Sequence, residues 1–440
     1  MKFLIIFLVS LLNIIINAKD IFEDYYEKAE KILKNMTRNE KIGQMFLPRY
    51  TLETSDYEIK KYFPAGFVLF ANNLVNHTEK QLIDELSQRQ KISKIPLVFG
   101  VDEEGGTVCR VSLYFRKERF PSPRESYLKG GIEEILLIEQ EKRDLLKKLN
   151  MNFNFAPVAD ISLNESDYIY ARTLGENVSI TTNYINTVID SYNNDNFTCC
   201  LKHFPGYGNN INTHDDIAHD NRSIDYLKNN DLIPFINGVK HNVPMIMVSH
   251  NIILNLDEEY PSSISKIVHD FLRYEYGYTG LILTDSLSMG AITKYTKNIS
   301  PAVLAVLAGN DIIVTSTFEK HITELITAVD NNEVDMDLIE KAAKRVIAWK
   351  LKYIYEQDNN EKDDQNNERN EEGNKNYILY IVLFSILGIV TIALIIFLIY
   401  KCNNKNKLEK SVEKNTDEKE EGIITNSKSE ERSTENNLDE

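Results

Sequence analysis

Cysteine is scarce: four residues in 440, too few for a disulfide framework to stand in for a hydrophobic core. Cys109, Cys199 and Cys200 alternate with apolar residues and read first as small buried hydrophobes. The second reading is a bridge from Cys109 to one of the other two in an oxidising compartment. Positive charge is also short. Lys and Arg number 50 against 66 Asp and Glu, a formal net of −16. Phosphate backbones are bound through basic surfaces, so this balance argues against nucleic acid as a partner. Half of the excess lies near the C-terminus, with eight acids and three bases in 356–376 and eleven acids and eight bases in 401–440. The charge therefore says little about a substrate of the central region. A glycine-rich dinucleotide loop is missing too, which argues against an open, doubly wound nucleotide-binding sheet. Neither a cofactor nor a metal set is expected.

What is present divides the chain. Residues 1–18 carry Lys2, an apolar stretch and Asn17-Ala18, the layout of a secretory signal peptide with cleavage after Ala18. An uncleaved anchor is the alternative, weakened by the shortness of the run. Residues 377–400 contain no charge over 24 positions, and about 20 such residues span a bilayer as a helix. Tyr377, Tyr380 and Tyr400 suit its interfaces, and Lys401, Lys405, Lys407 and Lys410 follow it. The positive-inside rule then puts 401–440 in the cytosol and 19–376 in the lumen or outside, as a single-pass type I membrane protein. Cys402 adjoins the run; palmitoylation is a second reading beside an unmodified thiol. Seven N-x-S/T sequons, at Asn35, Asn76, Asn164, Asn177, Asn196, Asn221 and Asn298, all precede the apolar run. Residues 356–376 read as an acidic, solvated linker and 401–440 as a disordered tail.

Between these segments, in 19–355, short apolar runs alternate with longer amphipathic ones. Eight runs read as strands: 42–48, 66–70, 96–102, 153–158, 198–203, 245–250, 281–285 and 311–314. They are continuous rather than alternating, as expected where both faces of a parallel sheet are covered. Helical spacing occupies 79–93, 133–149, 179–193, 226–240, 263–276, 318–329 and 337–354. Eight βα repeats in one unit predict an α/β fold of the (β/α)8 TIM-barrel kind. Polar clusters fall at strand ends: GVDEEGG after the third, KHFPG at the fifth, SHN at the sixth and TDS at the seventh. C-terminal strand ends carry the active sites of such barrels.

Six stretches, KIGQM at 41–45, GVDEEGGTVCRV at 100–111, NFAPVAD at 154–160, ARTLG at 171–175, KHFPGYG at 202–208 and LILTDSLSMGAI at 281–292, occur in one order and spacing. In them the chain resembles glycoside hydrolase family 3, specifically its single-domain bacterial β-N-acetylglucosaminidase branch, over about residues 41–350. The resemblance implies a retaining hydrolase that releases a terminal β-linked N-acetylhexosamine. It makes Asp285 the nucleophile, which would hold a covalent glycosyl intermediate until water arrives. It gives Asp102, Arg110, Arg172, Lys202 and His203 the task of gripping the sugar; charged donors and acceptors make the stronger hydrogen bonds to hydroxyls. Glu103 and Thr107, which replace the family's usual glutamine and arginine, are expected to be peripheral.

The acid/base position departs from the family. In that branch an Asp-x-His pair follows KHFPG; here the loop reads GYGNNINTHDD, residues 206–216, one residue shorter. His214 takes the histidine's place, Asn212 stands where the aspartate belongs, and Tyr207 replaces a common histidine. An asparagine oxygen can accept the imidazole proton but carries no charge to stabilise the imidazolium. Asp215 or Asp216 is an alternative partner on a short, mobile loop. Two functions follow: an active N-acetylhexosaminidase, or a catalytically weakened sugar-binding membrane protein on the same barrel. A β-glucosidase is disfavoured by the lack of room for a second domain, and phosphorolysis is chemically open.

Overall fold

The computed structural model describes residues 20–355 except Asn298. The segments expected as a signal peptide (1–18), a linker (356–376), a membrane span (377–400) and a tail (401–440) lie outside the described residues. Among the described residues no helix is long and apolar enough to cross a membrane.

Eight parallel strands form the centre: β1 (Phe46–Pro48), β2 (Gly66–Leu69), β3 (Val98–Val101), β4 (Phe153–Asn154), β5 (Thr198–Phe204), β6 (Met245–Val248), β7 (Leu281–Thr284) and β8 (Ile313–Thr315). Strands β2 to β7 pair in sequence order as one sheet, and β8 pairs with β1. Two parallel bridges, Arg49 with Val68 and Leu283 with Ile312, join these pieces. The result is a (β/α)8-like barrel. Each of the eight expected runs overlaps one of its strands; β5 and β8 each run one residue further, to Phe204 and Thr315. The first expectation is corrected at its start: residues 42 and 43 end the helix Arg38–Gly43, held by a Thr37–Glu40 capping box. Strand β4 is short because Pro157 has no N–H to donate; pairing resumes where Val158 bridges Lys202.

Although the strands are mostly apolar, their side chains alternate. Val68, Val98, Phe153, Cys200, Met245, Met247, Leu281 and Leu283 share the inner cluster. Phe67, Leu69, Phe99, Val101, Cys199, Leu201, Ile246 and Ile282 pack outward beneath the helices. Both faces are covered, so period two left no polar trace in the sequence. Trp349, the chain's one tryptophan, joins the inner cluster from helix Met336–Lys350. Its indole N–H donates to Thr198 Oγ1 at 2.9 Å at the start of β5, so it plugs the barrel end opposite the strands' C-termini. Cys109, Cys199 and Cys200 are buried free thiols, so the bridge reading falls; burial pushes all three thiols up.

Several helices have no counterpart in the expected set. Glu23–Leu33, Leu52–Tyr62, Gly290–Thr296 and Pro301–Ala308 are helical. The last reads PAVLAVLA and has no polar face to betray a 3.6 period. The expected helix 226–240 is two, Ile224–Asn229 and Leu232–Lys240. The helix expected at 133–149 follows non-helical backbone at Gly130 and Gly131 and ends at Lys148; before the break a further, unexpected helical stretch starts at Pro123.

Candidate active site

The C-terminal ends of the strands surround a cavity of about 330 Å³. Its lining includes all seven residues singled out from the sequence: Asp102, Arg110, Arg172, Lys202, His203, His214 and Asp285. They come from separate segments. Asp102 follows β3, Lys202 and His203 end β5, Asp285 follows β7, and Arg110, Arg172 and His214 sit on connecting loops. Apolar side chains of the barrel interior, among them Val68, Phe155, Met247 and Val314, complete the wall.

The floor is a network of buried charges. Lys202, 1% exposed, lies 2.7 Å from Asp102 and 2.6 Å from Glu104. Arg172 grips Glu104 with two parallel bonds, Nε to Oε2 at 2.9 Å and Nη2 to Oε1 at 2.7 Å. Burial would raise the Glu104 carboxyl, but Arg172 and Lys202 outweigh it and hold it well below the usual carboxylate range. Burial likewise opposes the charge on Lys202, and Asp102 and Glu104 reverse that, so its ammonium is favoured. Buried ions persist only when paired in this way.

His203 is fully partnered. Its Nδ1 lies 2.6 Å from Asp160 Oδ2, and its Nε2 lies 3.1 Å from Arg172 Nη2. An Nδ1–H donor with Nε2 accepting from the guanidinium satisfies both contacts. His203 therefore orients Arg172 as well as lining the cavity. Asp160 also accepts the Tyr207 backbone N–H at 2.7 Å.

Asp285 opens to the cavity at the end of β7. Its Oδ1 accepts the Ser286 N–H at 2.7 Å. Burial pushes its carboxyl up, but the His250 and His203 imidazoles and the Ser286 amide prevail, and the net direction is down. His250 is buried, and burial lowers its own affinity for a proton. Its Nε2 lies 2.9 Å from the Ser286 carbonyl and its Nδ1 2.7 Å from Ser263 Oγ. Its Nε2–H donates to that carbonyl and so holds the backbone directly after Asp285.

His214 is exposed on the cavity rim. Its imidazole has no hydrogen-bond partner among the described residues. Asn212 does not serve the ring: its Oδ1 accepts the His214 backbone N–H at 3.0 Å and its Nδ2 donates to Asp215 Oδ2 at 2.8 Å. Asp216 pairs with Lys294 at 3.2 Å. None of the three takes the role of an imidazole partner.

Glu103 corrects an expectation. It is wholly buried, and its Oε2 accepts the backbone N–H groups of Arg110 at 2.8 Å and Val111 at 2.6 Å, while Ser112 Oγ bonds its Oε1. It thus sets the loop that delivers Arg110, whose Nε is buried without a partner. Thr107, expected to be peripheral, lines the cavity rim. Glu104, Asp160 and His250 were not singled out from the sequence. Each stands beside or inside a strand-end cluster, and adjacency to Asp102, Lys202 and Asp285 was the available signal. Among the described residues no group of three or more His, Cys, Asp or Glu is arranged to hold a metal ion.

Residues 37–349 match the family model described as Glycosyl hydrolase family 3 N terminal domain. The chain belongs to glycosyl hydrolase family 3. An uncharacterized secreted glycosyl hydrolase of Arthroderma benhamiae is 28% identical over 301 residues, covering 64% of this chain and 83% of that protein. Beta-hexosaminidase A of Pseudoalteromonas piscicida is 26% identical over 328 residues, covering 67% of this chain and 54% of that one. Among solved structures, a family 3 beta-N-acetylglucosaminidase from Paenibacillus superposes with a TM-score of 0.69 at 25% identity, over 73% of this chain and 63% of that one. The chain thus spans little more than half of the Pseudoalteromonas relative. The Mycobacterium tuberculosis LpqI structure, at 22% identity and a TM-score of 0.65, shares the family 3 fold.

Proposed function

We propose that this family 3 protein is a retaining β-N-acetylhexosaminidase that releases terminal N-acetylglucosamine, with Asp285 as nucleophile and His214 as general acid/base. The observation that carries the reading is the placement of a charge-favoured carboxylate in a cavity of about 330 Å³, large enough for a single sugar ring, with an unpartnered imidazole on its rim. In the first step the Asp285 carboxylate bonds to the anomeric carbon while His214 gives a proton to the departing glycosidic oxygen. In the second the neutral imidazole takes a proton from water, which displaces Asp285 and restores it. Asp102 accepts sugar hydroxyls, Arg110 and Arg172 donate, and Lys202 and His203 fix the carboxylate and guanidinium that face the ring. The names of the hexosaminidase relatives support the substrate class.

The direct test uses aryl β-N-acetylglucosaminide and aryl β-glucoside side by side, with and without inorganic phosphate. Turnover of the first alone, yielding free sugar, is expected. Preference for the glucoside, or a sugar phosphate as product, overturns the assignment. A second reading, a sugar-binding protein with weakened catalysis, is favoured by the missing carboxylate partner of His214; binding of N-acetylglucosamine without turnover would establish it.

We further infer that residues 377–400 span a membrane and keep 19–355 on the luminal or extracellular side, on the strength of the uncharged run and the lysines after it. In sealed vesicles protease should remove only the 401–440 tail. A tail protected until lysis reverses the orientation.

A further inference from the structure

The 206–216 loop is fastened from three sides, and no fastening falls on the imidazole it carries. From within, the Tyr207 hydroxyl accepts the Thr213 N–H at 2.9 Å and donates to the Ile211 carbonyl at 3.0 Å. Tyr207 itself is 2% exposed. Its carbonyl accepts Asn210 Nδ2 at 2.7 Å, and its N–H is the one that reaches Asp160. One residue thus ties the loop to the aspartate that orients His203. From the nucleophile's side, the Gly290 and Ala291 N–H groups donate to the carbonyls of His214 and Thr213, each at 3.1 Å. A Cβ at position 290 would stand 2.6 Å from the His214 oxygen, so only glycine permits this approach. From below, Arg222 Nη2 donates to the Gly206 carbonyl at 2.8 Å.

We propose that Tyr207 is the positioning residue of the general acid/base: its hydroxyl, with the Gly290 and Ala291 amides, fixes the backbone under His214 and so supplies the placement that Asn212 does not give the ring. The proposal rests on His214 being the acid/base. Removing the hydroxyl leaves the Thr213 amide and the Ile211 carbonyl without their partner, and such groups regain it by moving toward water. A shift of about 1 Å in a reacting group can cost roughly a hundredfold in rate. That loss falls on steps that need the proton and spares departure of a leaving group that needs none.

The test is Tyr207→Phe in the full-length chain, with Gly290→Ala as a second variant that attacks the same clamp from the other side. Amide exchange across 208–216 is expected to rise about tenfold, while that of Thr198–Phe204 stays unchanged. On β-N-acetylglucosaminides, kcat/KM should fall roughly 10- to 100-fold for an alkyl leaving group and less than about twofold for an activated aryl one. Unchanged loop exchange overturns the proposal, as does an equal fall on both substrates or a rise in exchange shared by β5. If the wild-type chain hydrolyses neither substrate, the functional assignment fails by that result, and the catalytic part of this proposal fails with it. The exchange arm then still decides whether Tyr207 fixes the loop.

Discussion

The floor and the rim of the cavity are organised by different forces. On the floor, Lys202, Arg172, Asp102 and Glu104 form buried ion pairs that fix both position and charge before any ligand arrives. On the rim, His214 stands on backbone held by neutral hydrogen bonds, and its ring is free. On the proposed function, the difference follows from the tasks. Groups that recognise a neutral sugar keep one charge state throughout, so a low-dielectric network suits them. A group that gives and retakes a proton must change charge, and a fixed buried counter-ion would favour one state over the other. On that reading, an asparagine rather than an aspartate at position 212 bears on the imidazolium and not on the position of the histidine.

Asp285→Ala breaks the comparison most severely. Turnover should fall by roughly 10⁴-fold or more, while N-acetylglucosamine binding survives because the floor is intact. Loss of both together in a folded variant would assign Asp285 to binding. Next comes Glu104→Gln, which leaves Arg172 and Lys202 short of a negative charge. A loss of about 3–5 kcal/mol is expected at pH 7 by denaturant unfolding. The sign with pH is fixed by the depressed carboxyl. Its stabilisation is present above its ordinary value of 4.5 and is lost as pH falls below that value toward the lower folded one. The gap between wild type and variant should therefore narrow on acidification; a gap that widens contradicts the floor's ion-pair account.

Glu103→Ala should raise KM about tenfold through disorder of the Arg110 loop, and Glu103→Gln by less than about threefold, since an amide oxygen can still accept both N–H groups. Equal effects of the two would mean that charge, rather than acceptance, matters there. The smallest effect belongs to Asn212→Asp. A restored aspartate would face the Asp215 carboxylate that the Asn212 amide now bonds, and its oxygen is already engaged by the His214 backbone. A change in kcat below about threefold is expected. A large gain would show that the carboxylate reaches the ring and that the rim lacks only charge.

Much of this was legible in the sequence. The eight strand runs and the seven cavity residues are local motifs, and strand ends of one barrel converge on one face. What escaped was of two kinds. Pro301–Ala308 is buried on several sides, so periodicity could not mark it. Glu104, Asp160 and His250 act through partners distant in sequence, Glu104 through Arg172 and Lys202 and His250 through Ser286, while Glu103 bonds the amides of Arg110 and Val111 in its own loop. Nothing in a strand-end acid tells whether it faces the ligand, a cation or the next loop's amides. The Asn212 expectation failed for a similar reason. Its position two residues before His214 is equally suited to bonding the backbone N–H, and that shorter reach prevails.

The central claim, that Asp285 forms the covalent intermediate, is most directly tested by trapping. The full-length protein would be treated with a 5-fluoro N-acetylglucosaminyl donor that forms the intermediate faster than water removes it, then digested and mapped by mass spectrometry. A single glycosyl adduct on the peptide containing Asp285, absent from Asp285→Ala, is the predicted result. An adduct on another carboxylate, together with turnover retained in Asp285→Ala, would contradict the account.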